Sequence, residues 1–102
     1  MRKFLILIVS LSVLAIGATV FAADFNIRGY CRQISDVVGG SYQIEEACIQ
    51  MENESKRNLS GMYIPSRIKN YCTEVASVVG GSYQIMEACV QMELDSKSRI
   101  GN

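Results

Sequence analysis

The sequence predicts an all-α fold in which two tandem, disulfide-stapled antiparallel helical hairpins pack as a small four-helix arrangement. Three observations predict it: a tandem repeat, apolar residues at helical spacing, and four cysteines placed symmetrically about two glycine pairs. One hairpin cannot bury its apolar face alone, so we expect the two to pack together with approximate two-fold symmetry. The alternative is a pair of hairpins that dock only weakly, each using its apolar face for a partner.

Positions 1–22 have the layout of a bacterial-type secretory signal peptide. Two basic residues follow Met1, an apolar run comes next, and Val20-Phe21-Ala22 presents small or medium residues where a signal peptidase reads. We predict cleavage between Ala22 and Ala23, which places the mature chain in the periplasm or outside the cell. The alternative is an uncleaved membrane anchor, because residues 4–23 could just span a bilayer.

The mature chain is one small, slightly acidic domain. From residue 23 it keeps eight basic and ten acidic residues, a net charge of −2. It has no basic stripe, so nucleic acid and anionic membrane surfaces are poor partners. A core of about 80 residues is only marginally stable, so a covalent staple is expected. We place the first hairpin repeat at 23–60 and the second at 61–102.

The repeat itself is visible without gaps. Residues 30–57 and 71–98 share 18 of 28 positions, and the octapeptide VVGGSYQI occurs at 37–44 and again at 78–85. Gly39 can take the left-handed backbone that closes a helix, and Gly40 allows the reversal. Ser41 can then cap the next helix by accepting a backbone N–H bond. The octapeptide therefore predicts helix end, turn and helix start.

Apolar residues on either side of each octapeptide follow a period near 3.6, which predicts amphipathic helices rather than strands. In the first unit the apolar positions before the bend are Ile27, Tyr30, Cys31, Ile34, Val37 and Val38, and the narrow stripe after it is formed by Ile44, Ala47, Cys48, Met51, Ser55 and Leu59. The second unit repeats the pattern between positions 68 and 100.

The cysteine spacing predicts how the hairpins are stapled. Cys31 lies eight residues before the first glycine pair, and Cys48 lies eight residues after it. In an antiparallel hairpin, equal distances from the bend place both residues at the same height. Four cysteines allow three pairings, and this geometry favours Cys31–Cys48 and Cys72–Cys89.

Few residue types suited to catalysis are present. The chain has no histidine and no C-x-x-C motif, so the commonest general base, zinc ligand and redox pair are missing. We expect no catalytic residue, no metal site and no cofactor. The acidic residues of the two second helices are expected on solvated outer faces; they are Glu46, Glu52, Glu54, Glu87, Glu93 and Asp95.

One difference between the repeats suggests a partner face. Met86, Val90 and Leu94 stand where the first unit has Glu45, Ile49 and Asn53, so the fourth helix is apolar over a wider arc. Either this helix lies centrally and contacts two neighbours, or the three residues form a partner or self-association face.

Together these features predict a small exported, non-enzymatic interaction module whose partner is an unknown protein or a second copy. After signal cleavage no membrane contact is expected. A thiol-disulfide redox or redox-sensing envelope protein is the competing hypothesis, and it requires an exposed or labile cysteine. A structural envelope component held by an uncleaved N-terminal segment is the third.

Overall fold

The computed structural model describes residues 24–101, in which four α-helices and no strands are present. The helices are α1 (Ile27–Val37), α2 (Tyr42–Ser60), α3 (Ser66–Val78) and α4 (Tyr83–Arg99). The predicted signal peptide and its cleavage site lie outside the described residues. Within residues 24–101, no helix combines the length and apolar character needed to cross a membrane. The predicted all-α class is confirmed.

Two glycines make each hairpin bend. The φ angles are 95° and 86° at Gly39 and Gly40, and 98° and 92° at Gly80 and Gly81. This left-handed backbone is open to glycine at little steric cost. The Gly40 amide donates to the Ser35 carbonyl at 2.8 Å, which satisfies a terminal carbonyl of α1. The predicted helix end and turn are therefore present.

A serine begins the second helix of each hairpin. Ser41 Oγ accepts the Ile44 amide, and Ser82 Oγ accepts the Ile85 amide, both at 3.2 Å. Each hydroxyl satisfies one of the first amides of its helix, which have no intrahelical acceptor. The predicted capping role of Ser41 is confirmed.

Disulfides Cys31–Cys48 and Cys72–Cys89 staple the two hairpins, with Cα–Cα distances of 5.5 and 5.6 Å. Cys31 and Cys72 are completely buried, so the bridges lie between the helices that they join. The predicted pairing is the one in the structure.

The helices pack in the spatial order α1, α2, α4, α3. Among the described residues, α1 contacts α2, α2 contacts α4, and α4 contacts α3. The core lies mainly in the second hairpin and its contact with α2; its buried members are Leu59, Ile68, Cys72, Ala76, Tyr83, Met86 and Val90. The predicted packing of two hairpins into a small four-helix arrangement is confirmed.

The expected two-fold symmetry is wrong. Glu52 of α2 bonds Tyr83 at the start of α4, and Asn58 bonds Glu87 one turn later, so the two helices run in the same general direction. Tyr42 lies ten residues before Glu52 on α2, whereas its repeat counterpart Tyr83 lies beside Glu52. At 1.5 Å per residue, α4 is therefore displaced along α2 by about 15 Å. Two-fold symmetry would bury both tyrosines alike, yet Tyr83 is 3% exposed and Tyr42 is 87% exposed.

The apolar flank of α4 lies inside the molecule. Met86 is 4% exposed, Val90 is fully buried, and Leu94 packs against the core from its edge. α4 contacts both α2 and α3. Of the two alternatives, the structure therefore has the central helix with two neighbours, and these residues do not form an open partner face.

We predict that replacing Cys72 and Cys89 together with alanine lowers the free energy of unfolding by about 3 kcal/mol. The bridge spans 17 residues, and closing a loop of that size restricts the unfolded chain by about this amount. Urea unfolding of the oxidised protein and the double variant measures the change. The Cys31/Cys48 pair, which closes a loop of the same length, is the matched comparison. Equal stability of the variants and the parent chain would contradict the assigned role.

Candidate interaction site: a groove that binds a hairpin bend

Glu52 is a buried carboxylate that joins the two hairpins. Its side chain is fully buried on α2, and its Oε1 accepts the Tyr83 amide at 2.6 Å. Its Oε2 accepts the Ser82 hydroxyl at 2.7 Å. The same oxygen accepts the Gln84 amide at 3.3 Å and the Gln84 side-chain amide at 3.0 Å. One carboxylate of the first hairpin thus binds three consecutive residues of the second.

These bonds lie at the electrostatically favourable end of α4. The Tyr83 and Gln84 amides belong to the first turn, where backbone donors have no intrahelical acceptor and the helix dipole attracts a negative charge. Hydrogen bonds to a charged group contribute roughly 1.5–3 kcal/mol, and a buried charge without such partners is strongly destabilising. Docking of the second hairpin therefore depends on Glu52.

Aromatic and cationic side chains complete the contact. The Phe25 amide donates to the Tyr83 hydroxyl at 3.0 Å, and the two ring centroids are 4.9 Å apart. Lys56 Nζ lies 5.6 Å from the centroid of the Tyr83 ring, within range of a cation–π interaction. Tyr83 is therefore held both by α2 and by the segment that precedes α1.

We call residues 79–84 the second bend, and we call the surface that receives it the first groove, formed by Phe25, Tyr30, Gln33, Glu52 and Lys56. A Cβ atom built on Gly81 would lie 2.9 Å from Phe25 Cδ1. One built on Gly80 would lie 3.4 Å from Gln33 Oε1 and 3.8 Å from Tyr30 Cδ1. The glycines thus serve the turn and, at Gly81, a close approach of the backbone to the groove.

The placement of Glu52 corrects the expectation of a solvated face. Glu46, Glu54 and Asp95 are exposed, and Glu87 and Glu93 are partly exposed, but Glu52 is fully buried. The position of Glu52 in the sequence indicates this burial, because Glu52 lies four residues after Cys48 and seven before Leu59. That spacing places it on the inward stripe, where a charged residue requires a buried partner.

The second hairpin carries a counterpart of the first groove. A concave space of about 470 Å³ lies on α3 and α4, and we call its lining the second groove; it is formed by Pro65, Arg67, Ile68, Tyr71, Glu93, Ser96, Lys97 and Ile100. Tyr71, Glu93 and Lys97 are the repeat counterparts of Tyr30, Glu52 and Lys56.

The second groove is open to solvent in the described chain. Tyr71 is 54% exposed and Ile100 is 73% exposed, whereas Leu59, the counterpart of Ile100, is 8% exposed. Three of the five side chains that form the first groove, Tyr30, Glu52 and Lys56, are therefore repeated in the second hairpin without a bend in place, whereas Ser66 and Glu74 stand at the positions of Phe25 and Gln33.

The first bend, residues 38–43, is free where the second bend is docked. Tyr42 is 87% exposed, and with Gln43 and Glu46 it borders an open concavity of about 570 Å³ on α2. The counterparts of these three residues are Tyr83, Gln84 and Glu87, through which α4 bonds α2. Residues 24–101 thus contain one docked bend, one free bend, one filled groove and one open groove.

We predict that Glu52→Ala lowers the free energy of unfolding by at least about 3 kcal/mol, because it leaves several donors at the start of α4 buried without an acceptor. Glu93→Ala, the same change at the repeat counterpart, should alter stability by less than about 0.5 kcal/mol. Thermal and urea unfolding of both variants measure the difference. Equal destabilisation would contradict the asymmetry between the two grooves.

A second prediction compares the glycines. Gly40→Ala and Gly81→Ala both impose a positive φ on alanine, which costs roughly 1–2 kcal/mol. A Cβ on Gly40 meets nothing within 4 Å, whereas one on Gly81 meets the Phe25 ring. Gly81→Ala should therefore cost roughly 1–2 kcal/mol more, as measured by urea unfolding. In a Phe25→Ala background the difference should shrink, because only the Cβ contact at 3.3 Å remains. An unchanged difference would show that the ring is not its cause.

Comparisons with known proteins identify no relative of this chain, since no protein-family model, no curated protein and no solved structure matches it.

Proposed function

We propose that this chain is a small exported, non-enzymatic interaction module that binds a protein segment in the second groove. The signal-peptide layout of positions 1–22 supports export. The two disulfides support residence in an oxidising compartment, where such bridges persist.

A single observation carries the proposal: the second groove repeats the tyrosine, the glutamate and the lysine of the groove that binds a hairpin bend in the first hairpin. Glu93 is the counterpart of the carboxylate that accepts helix-start amides, and Lys97 is the counterpart of the cation beside the bound tyrosine ring. The ligand that suits such a groove is the start of a helix after a tight turn, with small residues in the turn and an aromatic residue behind them.

The redox alternative has less support. A thiol-disulfide exchange protein needs a sulfur that a partner thiolate can reach. Cys31 and Cys72 are completely buried, Cys48 is 8% exposed, and Cys89 is partly buried. Both bridges therefore fit a structural role better than an exchange role.

Site-specific photocrosslinking in the producing cell tests the proposal. A benzoylphenylalanine at position 71 lies in the second groove, and the same group at the 87% exposed Tyr63 lies outside it. We expect a protein adduct from position 71, none from position 63, and at least a tenfold reduction of the adduct in a Glu93→Lys background. The absence of an adduct at 71, or equal yields at 71 and 63, would contradict a binding role for the groove.

A further inference from the structure

We propose that the occupant of the second groove is the first bend of a second copy of this chain, so that copies associate head to tail. The inference rests on the proposed function, because it names the partner of the same groove. It identifies that partner from the occupant that the first groove already holds.

The ligand of the first groove exists twice in the chain. The second bend lies within VVGGSYQI, and the first bend lies within the same eight residues. Glu52 binds Ser82, Tyr83 and Gln84, whose counterparts are Ser41, Tyr42 and Gln43. Glu93 of one copy can therefore accept the same set of donors from the exposed first bend of another copy.

Two surrounding positions place favourable charges across such a contact, while Glu74 stands where the first groove has Gln33. Lys97 takes the place of Lys56 beside the incoming tyrosine ring. Within one chain Asn58 Nδ2 donates to Glu87 Oε2 at 2.9 Å. Between copies the counterparts are Arg99, which already pairs with Asp95 on its own helix, and Glu46, so a neutral-to-charged hydrogen bond becomes a contact of opposite charges.

One position is polar in the contact between copies and apolar in the contact within a chain. Glu45 of the incoming copy stands at the position that the buried Met86 has within one chain. Its carboxylate already lies 4.0 Å from the Arg32 guanidinium across the first hairpin, so it enters the contact as half of an ion pair. Burying a paired charge costs far less free energy than burying an isolated one.

The contact between copies is weaker than the contact within one chain. Ser66 stands where Phe25 stacks on Tyr83, so the second groove lacks that aromatic ring. The second bend is also tethered to its groove by a short linker, which raises its effective concentration, whereas a second copy must associate from solution. Association is therefore reversible and depends on protein concentration.

The geometry of the contact makes the assembly open-ended. Docking of the second bend in the first groove displaces α4 along α2 in one direction. Docking of another copy's first bend in the second groove displaces that copy's α2 along α4 in the same direction. Each added copy fills one groove and presents another, which is the behaviour of a heterologous interface and not of a closed two-fold dimer.

Sedimentation of the oxidised, exported protein over a range of concentrations tests the proposal. We expect the weight-average mass to rise through that of a dimer to larger species. Glu93→Lys should weaken association at least tenfold, while Glu54→Lys, the same change at an exposed position outside both grooves, should leave it unchanged. A parent chain that stays monomeric at every concentration, or a Glu93→Lys chain that associates like the parent, would overturn the inference.

Mixing two variants tests the head-to-tail geometry. Tyr42→Asp disables the first bend at an 87% exposed position, where an acidic residue suits the helix start. We expect Tyr42→Asp and Glu93→Lys each to be monomeric alone, and a 1:1 mixture to form a dimer and nothing larger. Circular dichroism confirms that each variant is folded. A mixture that stays monomeric, or variants that still dimerise alone, would overturn the inference.

The two proposals fail differently. If the parent chain is monomeric while position 71 crosslinks a different protein in a Glu93-dependent manner, the second-copy inference is overturned and the binding function stands. If the chain is monomeric and position 71 yields no adduct, both are overturned.

Discussion

The Glu52 carboxylate is the interaction on which the arrangement of the two hairpins depends. It is fully buried, and its partners Ser82, Tyr83 and Gln84 all belong to the second hairpin. Hydrophobic contacts are non-directional and would tolerate several registers of α4 on α2, whereas a buried carboxylate requires donors at fixed positions. The displacement of α4 along α2 therefore follows from the height of Glu52 on α2 and from the turn that supplies its donors.

Two similar hairpin sequences do not have two equivalent environments. When units associate by displacement and not by a two-fold axis, the terminal units keep a surface that an internal unit would bury. Here the first hairpin keeps a free bend and the second keeps an open groove. The substitutions between repeats follow this difference: Met86 and Val90 are buried in the core on α4, whereas Glu45 lies about two turns before Glu52, where α4 begins its contact with α2, and pairs with Arg32.

Local features of the chain were predictable because they depend on neighbouring residues. Glycine pairs, serine caps and equal cysteine distances determine each hairpin independently of the rest, and the structure has both disulfides and both bends as expected. The relation between the hairpins was not predictable in the same way. Identical octapeptides give no sign that one is docked and the other free. The charge of Glu52 predicts a solvated position, whereas its spacing from Cys48 and Leu59 places it on the inward stripe.

Amide hydrogen exchange in dilute protein tests the central claim most directly, because the two copies of VVGGSYQI provide an internal control. The Tyr83 and Gln84 amides donate to buried Glu52, whereas Tyr42 and Gln43 occupy the same helix positions on an exposed bend. The account predicts that Tyr83 and Gln84 exchange at least a hundredfold more slowly than Tyr42 and Gln43, since a buried charged hydrogen bond must open first. Equal exchange rates at the two bends would contradict it.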